Sequence, residues 1–209
     1  YFDDEITAMP NLVTVGAANT LTTVAGIPFY QGDTGSIYTH NVSGTDSTAQ
    51  YNTAYGLTAL DAITTGDNNT AIGHGALGAN NTGSENTAIG YNALTANTSG
   101  TPNIAVGNYA LMANTTGTSN VALGLSALKE NTTASYNIGI GQNAGRENTT
   151  GTRNIAIGVS AYDASDTEND NLAIGYEAMT TNTAGGVYNI AVGNYSLDAL
   201  TSGDGNVGV

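Results

Sequence analysis

A fixed period of 17 residues constrains this chain more than any other feature. The pentapeptide Asn-x-(Ala/Gly)-x-Gly recurs through the sequence with 17-residue spacing, apart from one spacing of 18 residues, and its last copy is incomplete. The ten asparagines that open the units are Asn52, Asn69, Asn86, Asn103, Asn120, Asn137, Asn154, Asn171, Asn189 and Asn206. Because a period of this kind marks stacked structural repeats, it indicates the fold class before any local pattern is read.

Each unit is numbered here from its first Asn, which is position zero. Positions one to three alternate between larger and smaller side chains, as in a strand, and Gly at position four costs about 1 kcal/mol in a helix interior. A unit of 17 residues is too short for a helical hairpin but suits one coil of a solenoid. We therefore predict an all-β fold, a parallel β-solenoid or β-roll, with two short strands and two turns per coil. Ten coils stacked ~4.8 Å apart would form a rod roughly 48 Å long.

Equivalent positions of successive coils should stack into columns. Position three is aliphatic from Ile72 to Val192, and position eight is mostly Leu; we predict that both columns point inward and form the core. The Ala and Gly of positions two and four would then leave a smooth outer strand face, with Ala105 and Ala122 open to close approach by another chain. Asn at positions zero and eleven should form ladders of side chains that satisfy one another and the turn backbone.

The chain divides into two regions. Residues 52–209 carry the repeat, whereas residues 1–51 lack the period and read as a β-rich capping or connecting segment, with short strands at 12–15, 21–24 and 36–38. The extra residue of the single 18-residue unit should lie near Gly185 and Gly186, where two glycines tolerate a bulge without disturbing strand register.

Charge and composition exclude several classes of function. The chain has 17 acidic and three basic residues, a formal charge of −14, so phosphate groups of nucleic acids and anionic membranes would be repelled. The absence of Cys excludes disulfides, thiolate metal sites and Cys nucleophiles. Since the sequence contains no run of 18 apolar residues, we expect no membrane insertion.

Units such as Asn86-Thr-Ala-Ile-Gly90-Tyr-Asn-Ala-Leu94-Thr-Ala-Asn97-Thr-Ser-Gly100 resemble two families of surface proteins. They are similar to the head repeats of trimeric autotransporter adhesins, and more so to the repetitive tail-fibre and adhesin-like proteins of marine bacteriophages. The resemblance covers residues 52–209. It implies a left-handed roll in which three chains pack about a common axis, although the period of this chain is longer than that of the adhesin heads.

These observations predict a structural and adhesive fibre segment on a virion or cell surface, outside the cell. A phage tail fibre that mediates host attachment fits best, and a bacterial trimeric adhesin is the alternative. The expected partners are two further copies of the chain and a host-surface glycan or protein. We expect no catalytic residues and no cofactor. Two further alternatives are a tailspike-like glycan hydrolase using carboxylate pairs and an ice-binding solenoid using the Thr columns at positions twelve and thirteen.

Two groups of residues stand out as candidate sites. Tyrosines follow the unit glycine in four coils, where they could contact a glycan or fill space between chains. These are Tyr91, Tyr109, Tyr176 and Tyr195. Acidic residues gather in the seventh unit, where they could hold Ca²⁺ or serve as solvated turn charges. These are Asp163, Asp166, Glu168 and Asp170. The only histidines, His40 and His74, are expected to be surface or packing residues.

Overall fold

The computed structural model describes residues 48–181 and 185–209, together with five short strands in the first 47 residues. These strands are β1 (Val13–Val15), β2 (Leu21–Val24), β3 (Ile27–Pro28), β4 (Tyr30–Gln31) and β5 (Ile37–Tyr38). Strands β1, β2 and β5 occur in the three segments predicted to be extended, whereas β3 and β4 were not predicted. Strands β1 to β3 form an antiparallel sheet, whereas β5 pairs in parallel with the strand of the first coil, so the N-terminal region continues the solenoid sheet. His40 lies outside the described residues.

Ten parallel strands, one from each unit, form a single sheet along the rod. They are β6 (Thr53–Tyr55), β7 (Thr70–Ile72), β8 (Thr87–Ile89), β9 (Asn103–Val106), β10 (Asn120–Leu123), β11 (Ile138–Ile140), β12 (Ile155–Ile157), β13 (Leu172–Ile174), β14 (Ile190–Val192) and β15 (Val207–Gly208). Equivalent positions of neighbouring coils are paired, as in Ala105 with Ala122. The predicted parallel β-solenoid of 17-residue coils is therefore confirmed. In the described part of the chain, no helix is long and apolar enough to cross a membrane.

The other half of each coil consists of turns, so the predicted second strand is wrong for the described coils. Residues at positions six, eight and sixteen have a left-handed backbone, as at Ser126 (φ 56°), Leu128 (φ 48°) and Tyr136 (φ 64°). Such angles are incompatible with a strand. Backbone hydrogen bonds still join this half of one coil to the next, as from Thr115 N to Thr132 O at 2.8 Å. The ladder between coils therefore runs round the whole coil, not along the strand alone.

Glycine at position four is required by the approach of neighbouring coils. Gly90 has a φ of 135°, and a Cβ atom added there would lie 2.6 Å from the carbonyl oxygen of Gly107 in the next coil. That backbone angle and that distance both exclude an L side chain. The glycine column is thus a consequence of the stacking distance.

The apolar half of the core contains Ala at positions two and seven and Leu at position eight. Ala105, Ala110 and Leu111 are fully buried, which confirms the predicted leucine column. The predicted inward orientation of position three is wrong, because Ile72 and Ile89 are 39% and 37% exposed.

The narrow interior of the coil explains this orientation. Position two faces the leucine of position eight so closely that a Cβ atom added at Gly208 would lie 2.7 Å from Leu197 Cγ. Only a small residue fits there, so the alanines point inward and the larger aliphatic side chains point outward. Ala105 and Ala122 therefore line the core and do not form an outer contact face.

Asparagines form the polar half of the core. Asn69 N donates to Asn52 Oδ1 in the preceding coil at 2.8 Å, and Asn69 Nδ2 donates to Gly83 O at 2.9 Å. At position eleven, Asn97 Nδ2 donates to Asn80 Oδ1 at 2.8 Å. Both predicted Asn ladders are confirmed. Their side chains are buried and hydrogen-bonded, as buried polar groups require. The exception among the described residues is Asn148 Oδ1, which has no partner because the next coil has Ser165 at position eleven.

The extra residue of the 18-residue coil lies where it was expected. Asn171 Nδ2 donates to Gly186 O, one residue further along the chain than the equivalent carbonyl in other coils. Strands β13 and β14 remain in register, with Leu172 opposite Ile190. The extra residue therefore precedes Gly186 in the chain and leaves the strand register unchanged.

Candidate functional site

Two outward surfaces of the solenoid carry features that the internal packing does not explain. The strand face consists of positions one and three of all ten units, on the sheet side that points away from the core. The aromatic corner consists of positions five and six, which lie in the turn that follows the unit glycine. The strand face was not predicted to be exposed. The aromatic corner contains the four tyrosines that the sequence indicated as candidate contact residues.

The strand face is uncharged along its whole length and aliphatic in both columns from the fourth unit onward. Position one is Thr in the first three units and aliphatic from Ile104 onward, and position three is aliphatic except at Tyr55. Neither column contains an acidic or basic residue in any unit, in a chain with a net charge of −14. Ile104 is 42% exposed and Ile190 is 39% exposed. The sequence could have indicated this surface. A strand with bulky residues at positions one and three and Ala at position two has two different faces, and one of them must be exposed.

The structure brings the four tyrosines together in two pairs on neighbouring coils. The ring centroids of Tyr91 and Tyr109 are 5.3 Å apart at an interplanar angle of 85°, and those of Tyr176 and Tyr195 are 5.3 Å apart at 80°. His74 stacks on Tyr91 with centroids 5.4 Å apart. His74 thus packs against the first tyrosine pair, in agreement with the prediction that it is a surface or packing residue. Edge-to-face contacts of this kind stabilise the stack of coils and leave ring surface in solvent.

An asparagine holds the backbone of each pair in the same way. Tyr91 N donates to Asn108 Oδ1 at 3.1 Å, and Tyr176 N donates to Asn194 Oδ1 at 2.9 Å. In both cases the asparagine immediately precedes the second tyrosine of the pair. The two pairs are therefore copies of one local arrangement, with Gly-Tyr in one coil and Gly-Asn-Tyr in the next.

The hydroxyl of Tyr176 is engaged by the neighbouring residue of its own coil. A hydrogen bond to the Glu177 side chain, together with the negative charge of that carboxylate, raises the pKa of Tyr176 to about 12. The ring therefore remains neutral at physiological pH. It presents its 41% exposed surface as an apolar platform with a fixed hydroxyl.

Three of the four acidic side chains of the seventh coil, those of Asp163, Glu168 and Asp170, have separate partners. Arg153 donates to both carboxylate oxygens of Asp170, from Nε at 2.6 Å and from Nη2 at 2.7 Å. That contact lowers the pKa of Asp170 and raises the pKa of Arg153. Asp163 lies 3.1 Å from Arg146, whose charge partly opposes the burial that raises the pKa of Asp163.

Glu168 is buried, and its carboxylate accepts hydrogen bonds from the backbone N–H groups of Asp166, Thr167 and Gly185. Within the described ranges, no three acidic or histidine side chains are grouped so that they could hold a metal ion. The calcium interpretation of this segment therefore finds no support in the described geometry.

The threonine column at position twelve is used by the fold itself. Thr98 Oγ1 donates to Thr115 O at 3.1 Å, and Thr132 Oγ1 donates to Thr149 O at 3.0 Å. These hydroxyls close the ladder between coils, so they do not present a free array to solvent. This use removes the position-twelve column from the ice-binding alternative, whereas threonines at position thirteen, such as Thr116 and Thr133, are exposed.

Comparison with protein-family models, with curated proteins and with solved structures gave no match. The functional argument therefore rests on the strand face and the aromatic corner.

Proposed function

We propose that this chain is a segment of an extracellular or virion-surface fibre, assembled as a homotrimer through the strand face. The observation that carries the proposal is the strand face itself, which is free of charge over ten units of a strongly acidic chain and aliphatic in both columns from Ile104 onward. A phage tail fibre that attaches its particle to a host surface is the form that fits best. The resemblance of the repeats to tail-fibre proteins and trimeric adhesin heads supports both the trimer and the fibre.

The size of the strand face supports burial against other copies. Ten strands ~4.8 Å apart form a face about 48 Å long, and its two side-chain columns, ~6.6 Å apart, span a width of about 13 Å. The strand face therefore covers on the order of 600 Å². Monomeric proteins rarely expose apolar patches larger than about 300–600 Å², whereas a standard interface buries about 800 Å² per partner. Exposed aliphatic residues such as Ile104 and Ile190 would leave water on assembly.

The revised orientation of the strand changes the basis of the trimer proposal. The small-residue face that first suggested close approach of chains is inside the coil, as the burial of Ala105 and Ala122 shows. The surface available to a second copy is the aliphatic face instead. Its burial adds the apolar core that a coil lined with alanine lacks, at roughly 25 cal/mol per Å² removed from water.

A rod of stacked coils suits a fibre mechanically. Hydrogen bonds join each coil to the next around its whole circumference, as from Leu111 N to Ala127 O at 3.0 Å and from Asn120 N to Asn103 Oδ1 at 3.0 Å. Extension is set by the number of coils, and outward corner residues are free to differ between coils. The fold therefore supplies length and stiffness, with variable corners for contact with a host.

The oligomeric state tests the proposal. Sedimentation equilibrium of the full chain should give three times the chain mass of 21.0 kDa at micromolar concentration. Ile104→Asp places a charge on the strand face and should yield monomers with an unchanged circular dichroism spectrum. Thr116→Asp, an exposed position of the same coil outside that face, should leave the trimer intact. A wild-type chain that stays monomeric at high concentration would contradict the proposal.

A further inference from the structure

The two tyrosine pairs are the outward features that recur in one geometry and have no role in the coil core. Tyr91, Tyr176 and Tyr195 are 42%, 41% and 54% exposed. We propose that each pair, Tyr91 with Tyr109 and Tyr176 with Tyr195, is a binding site for a neutral glycan. This inference rests on the proposed function, because it names the class of receptor that the fibre would contact.

The repetition of the arrangement is the first support. Both pairs have ring centroids 5.3 Å apart and nearly perpendicular planes. Both have an asparagine, Asn108 or Asn194, whose Oδ1 accepts the backbone N–H of the first tyrosine. Other coils carry Leu125 or Gln142 at the same corner, so the stacking of coils does not require tyrosine there. The repeated arrangement of Tyr and Asn therefore indicates a surface with its own role.

The shape and chemistry of each pair match a sugar ring. Perpendicular rings present one aromatic face and one aromatic edge, which together form a shallow apolar corner. The C–H face of a pyranose packs on such a ring, while its hydroxyls need polar partners. Amide and hydroxyl groups at the corner can supply these hydrogen bonds. Near the first pair the candidates are the side chain of Asn92 and the Nδ2 group of Asn108, since Asn108 Oδ1 already accepts from Tyr91 N.

Charge limits which glycans would bind. The chain carries −14 overall, and Glu177 contacts the hydroxyl of Tyr176 in the second pair. Acidic polysaccharides would be repelled by this field, as would nucleic acids. The favoured ligand is therefore a neutral oligosaccharide or polysaccharide.

The separation of the pairs adds a length requirement. Tyr91 and Tyr176 occupy position five of coils five units apart, which corresponds to about 24 Å along the rod. A polysaccharide that spans this distance can occupy both sites of one chain, and its second contact is then intramolecular. A long glycan should accordingly bind much more tightly than a short one.

The test uses the full wild-type chain and three neutral hexasaccharides, cellohexaose, maltohexaose and chitohexaose, with a guluronate hexamer as the acidic comparison. Because the chain has 12 Tyr and no Trp, the readout is the ring NMR signals assigned to Tyr91, Tyr109, Tyr176 and Tyr195, which distinguish the corner from the other tyrosines. At least one neutral hexasaccharide should bind saturably at two sites per chain, and the guluronate hexamer should not. The polymer of the bound sugar should bind at least tenfold more tightly.

Variants identify the residues. Tyr91→Ser with Tyr109→Ser should halve the number of hexasaccharide sites and remove the tenfold gain of the polymer. Replacement of all four tyrosines should abolish binding. The matched control is Tyr51→Ser with Tyr136→Ser, two tyrosines that are 56% and 62% exposed on another column and should be dispensable. Tyr176→Phe, which keeps the ring, should retain its site.

Failure of this inference is distinguishable from failure of the proposed fibre. No saturable binding of any neutral hexasaccharide, or binding that survives loss of all four tyrosines, would overturn the glycan sites. Tighter binding of the guluronate hexamer than of the neutral sugars would overturn them as well. The oligomeric state of the chain is measured separately, and circular dichroism of each variant establishes that lost binding is not lost folding.

Discussion

Coils three to five (residues 86–136) and coils six and seven (137–170) have the same backbone but different cores. In coils three to five, Leu94, Leu111 and Leu128 form a continuous column. In coil six the equivalent residue is Gly145, and a Cβ atom added there would lie 2.8 Å from Leu128. Leu128 therefore fills the space that coil six leaves empty. The buried apolar residues separate at this point into two clusters, one ending at Leu128 and the other beginning at Ala144.

Coil seven replaces three core positions at once. Tyr162 takes the leucine position, Ser165 the asparagine position and Glu168 the glycine position. The Tyr162 hydroxyl donates to Glu168 O at 3.4 Å and accepts from Asn171 Nδ2 at 2.9 Å. In a regular coil the equivalent carbonyl is bonded by asparagine, as in Asn148 Nδ2 to Gly151 O at 3.0 Å. One tyrosine thus replaces both the leucine packing and the asparagine hydrogen bond.

The backbone ladder is the same in both regions. Gly107 N donates to Ile89 O at 2.8 Å in a regular coil, and Gly141 N donates to Leu123 O at 2.8 Å where the core is interrupted. Position zero remains Asn throughout and remains buried, as at Asn103 and Asn154. The comparison indicates that the ladder and the position-zero asparagines set the coil. The other core columns vary as long as the space is filled, even where Asn148 Oδ1 and Ser165 Oγ are left buried without a hydrogen-bond partner in the described part of the chain.

The largest effect is expected from the glycine column that both regions share. Gly107→Ala in a regular coil and Gly158→Ala in coil seven each place a Cβ atom 2.6–2.7 Å from the carbonyl carbon of the next glycine. Overpacking against backbone and a strained φ together should cost about 2–6 kcal/mol. Denaturant unfolding should show similar losses at the two sites.

Gly205→Ala is the matched control for those variants. Gly205 has a φ of 67°, and a Cβ atom added there would have no atom within 4 Å. Gly205→Ala should therefore lose only about 1 kcal/mol of stability, from backbone strain. A loss of stability for Gly158→Ala as small as that for Gly205→Ala would contradict the conclusion that coil seven and the regular coils share the backbone ladder.

A smaller effect should come from returning coil seven to the regular pattern. Tyr162→Leu removes the phenol that bonds Glu168 O and Asn171, and should cost about 2–4 kcal/mol. Ser165→Asn alone places an amide where the phenol lies, and should cost about 1–3 kcal/mol. The double variant should recover at least about 1 kcal/mol of the summed losses. Strictly additive losses would show that tyrosine does not stand in for asparagine.

Left-handed positions in the turn half should be relieved by glycine. Ser126 has a φ of 56°, so Ser126→Gly should stabilise the protein by about 0.5–1 kcal/mol. Ser99, an exposed turn residue that is not among the left-handed ones, is the comparison. Ser99→Gly should leave stability unchanged or lower it slightly. Equal effects of the two changes in chemical denaturation would contradict the backbone assignment of the turns.

The smallest effect concerns the pH dependence of coil seven. Burial raises the pKa of Asp163, with Arg146 opposing this shift. The stability linked to a raised carboxyl pKa is fully present below the unfolded pKa of about 3.9 and is lost as pH rises through the folded pKa. The stability of Asp163→Asn relative to wild type should therefore increase as pH rises through this window. Unfolding midpoints measured as a function of pH test this.

In the same experiment, Asp170→Asn should change the pH dependence of stability in the opposite direction. The hydrogen bond from Arg153 lowers the pKa of Asp170, so its contribution is present above the unfolded pKa and is lost as pH falls through the folded pKa. This variant should lose stability relative to wild type at neutral pH and match it in acid. The same sign for both variants would contradict the pairing seen in coil seven.

The period was enough to predict the solenoid, its register, the leucine column and the Asn ladders, because each follows from stacking equivalent residues. It did not reveal which strand face is internal. Alternation at positions one to three shows that the strand has two different faces but not which of them is internal. The bulk of residues such as Ile89 suggested that their face is internal, which is wrong. The deciding fact is the short distance between positions two and eight inside the coil, which only coordinates show.

The second strand and the tyrosine pairs illustrate two other limits. Leu111 and Tyr109 adopt left-handed angles of 49° and 62°, which are uncommon for such side chains, so residue type gave no warning of a turn. The proximity of Tyr91 and Tyr109 could have been read from the sequence, since residues 18 apart in a 17-residue period lie on adjacent coils. Their edge-to-face geometry could not.

Native-state hydrogen exchange across the two regions tests most directly whether the backbone ladder, rather than the apolar column, sets the coil. The amides of Gly141 and Gly158 should be protected as strongly as those of Gly107 and Gly124, since all four donate to the preceding coil at 2.8 Å. Protection should fall only toward the ends of the rod. Rapid exchange of Gly141 and Gly158 beside protected Gly107 and Gly124 would contradict this conclusion and assign the stability to the leucine column.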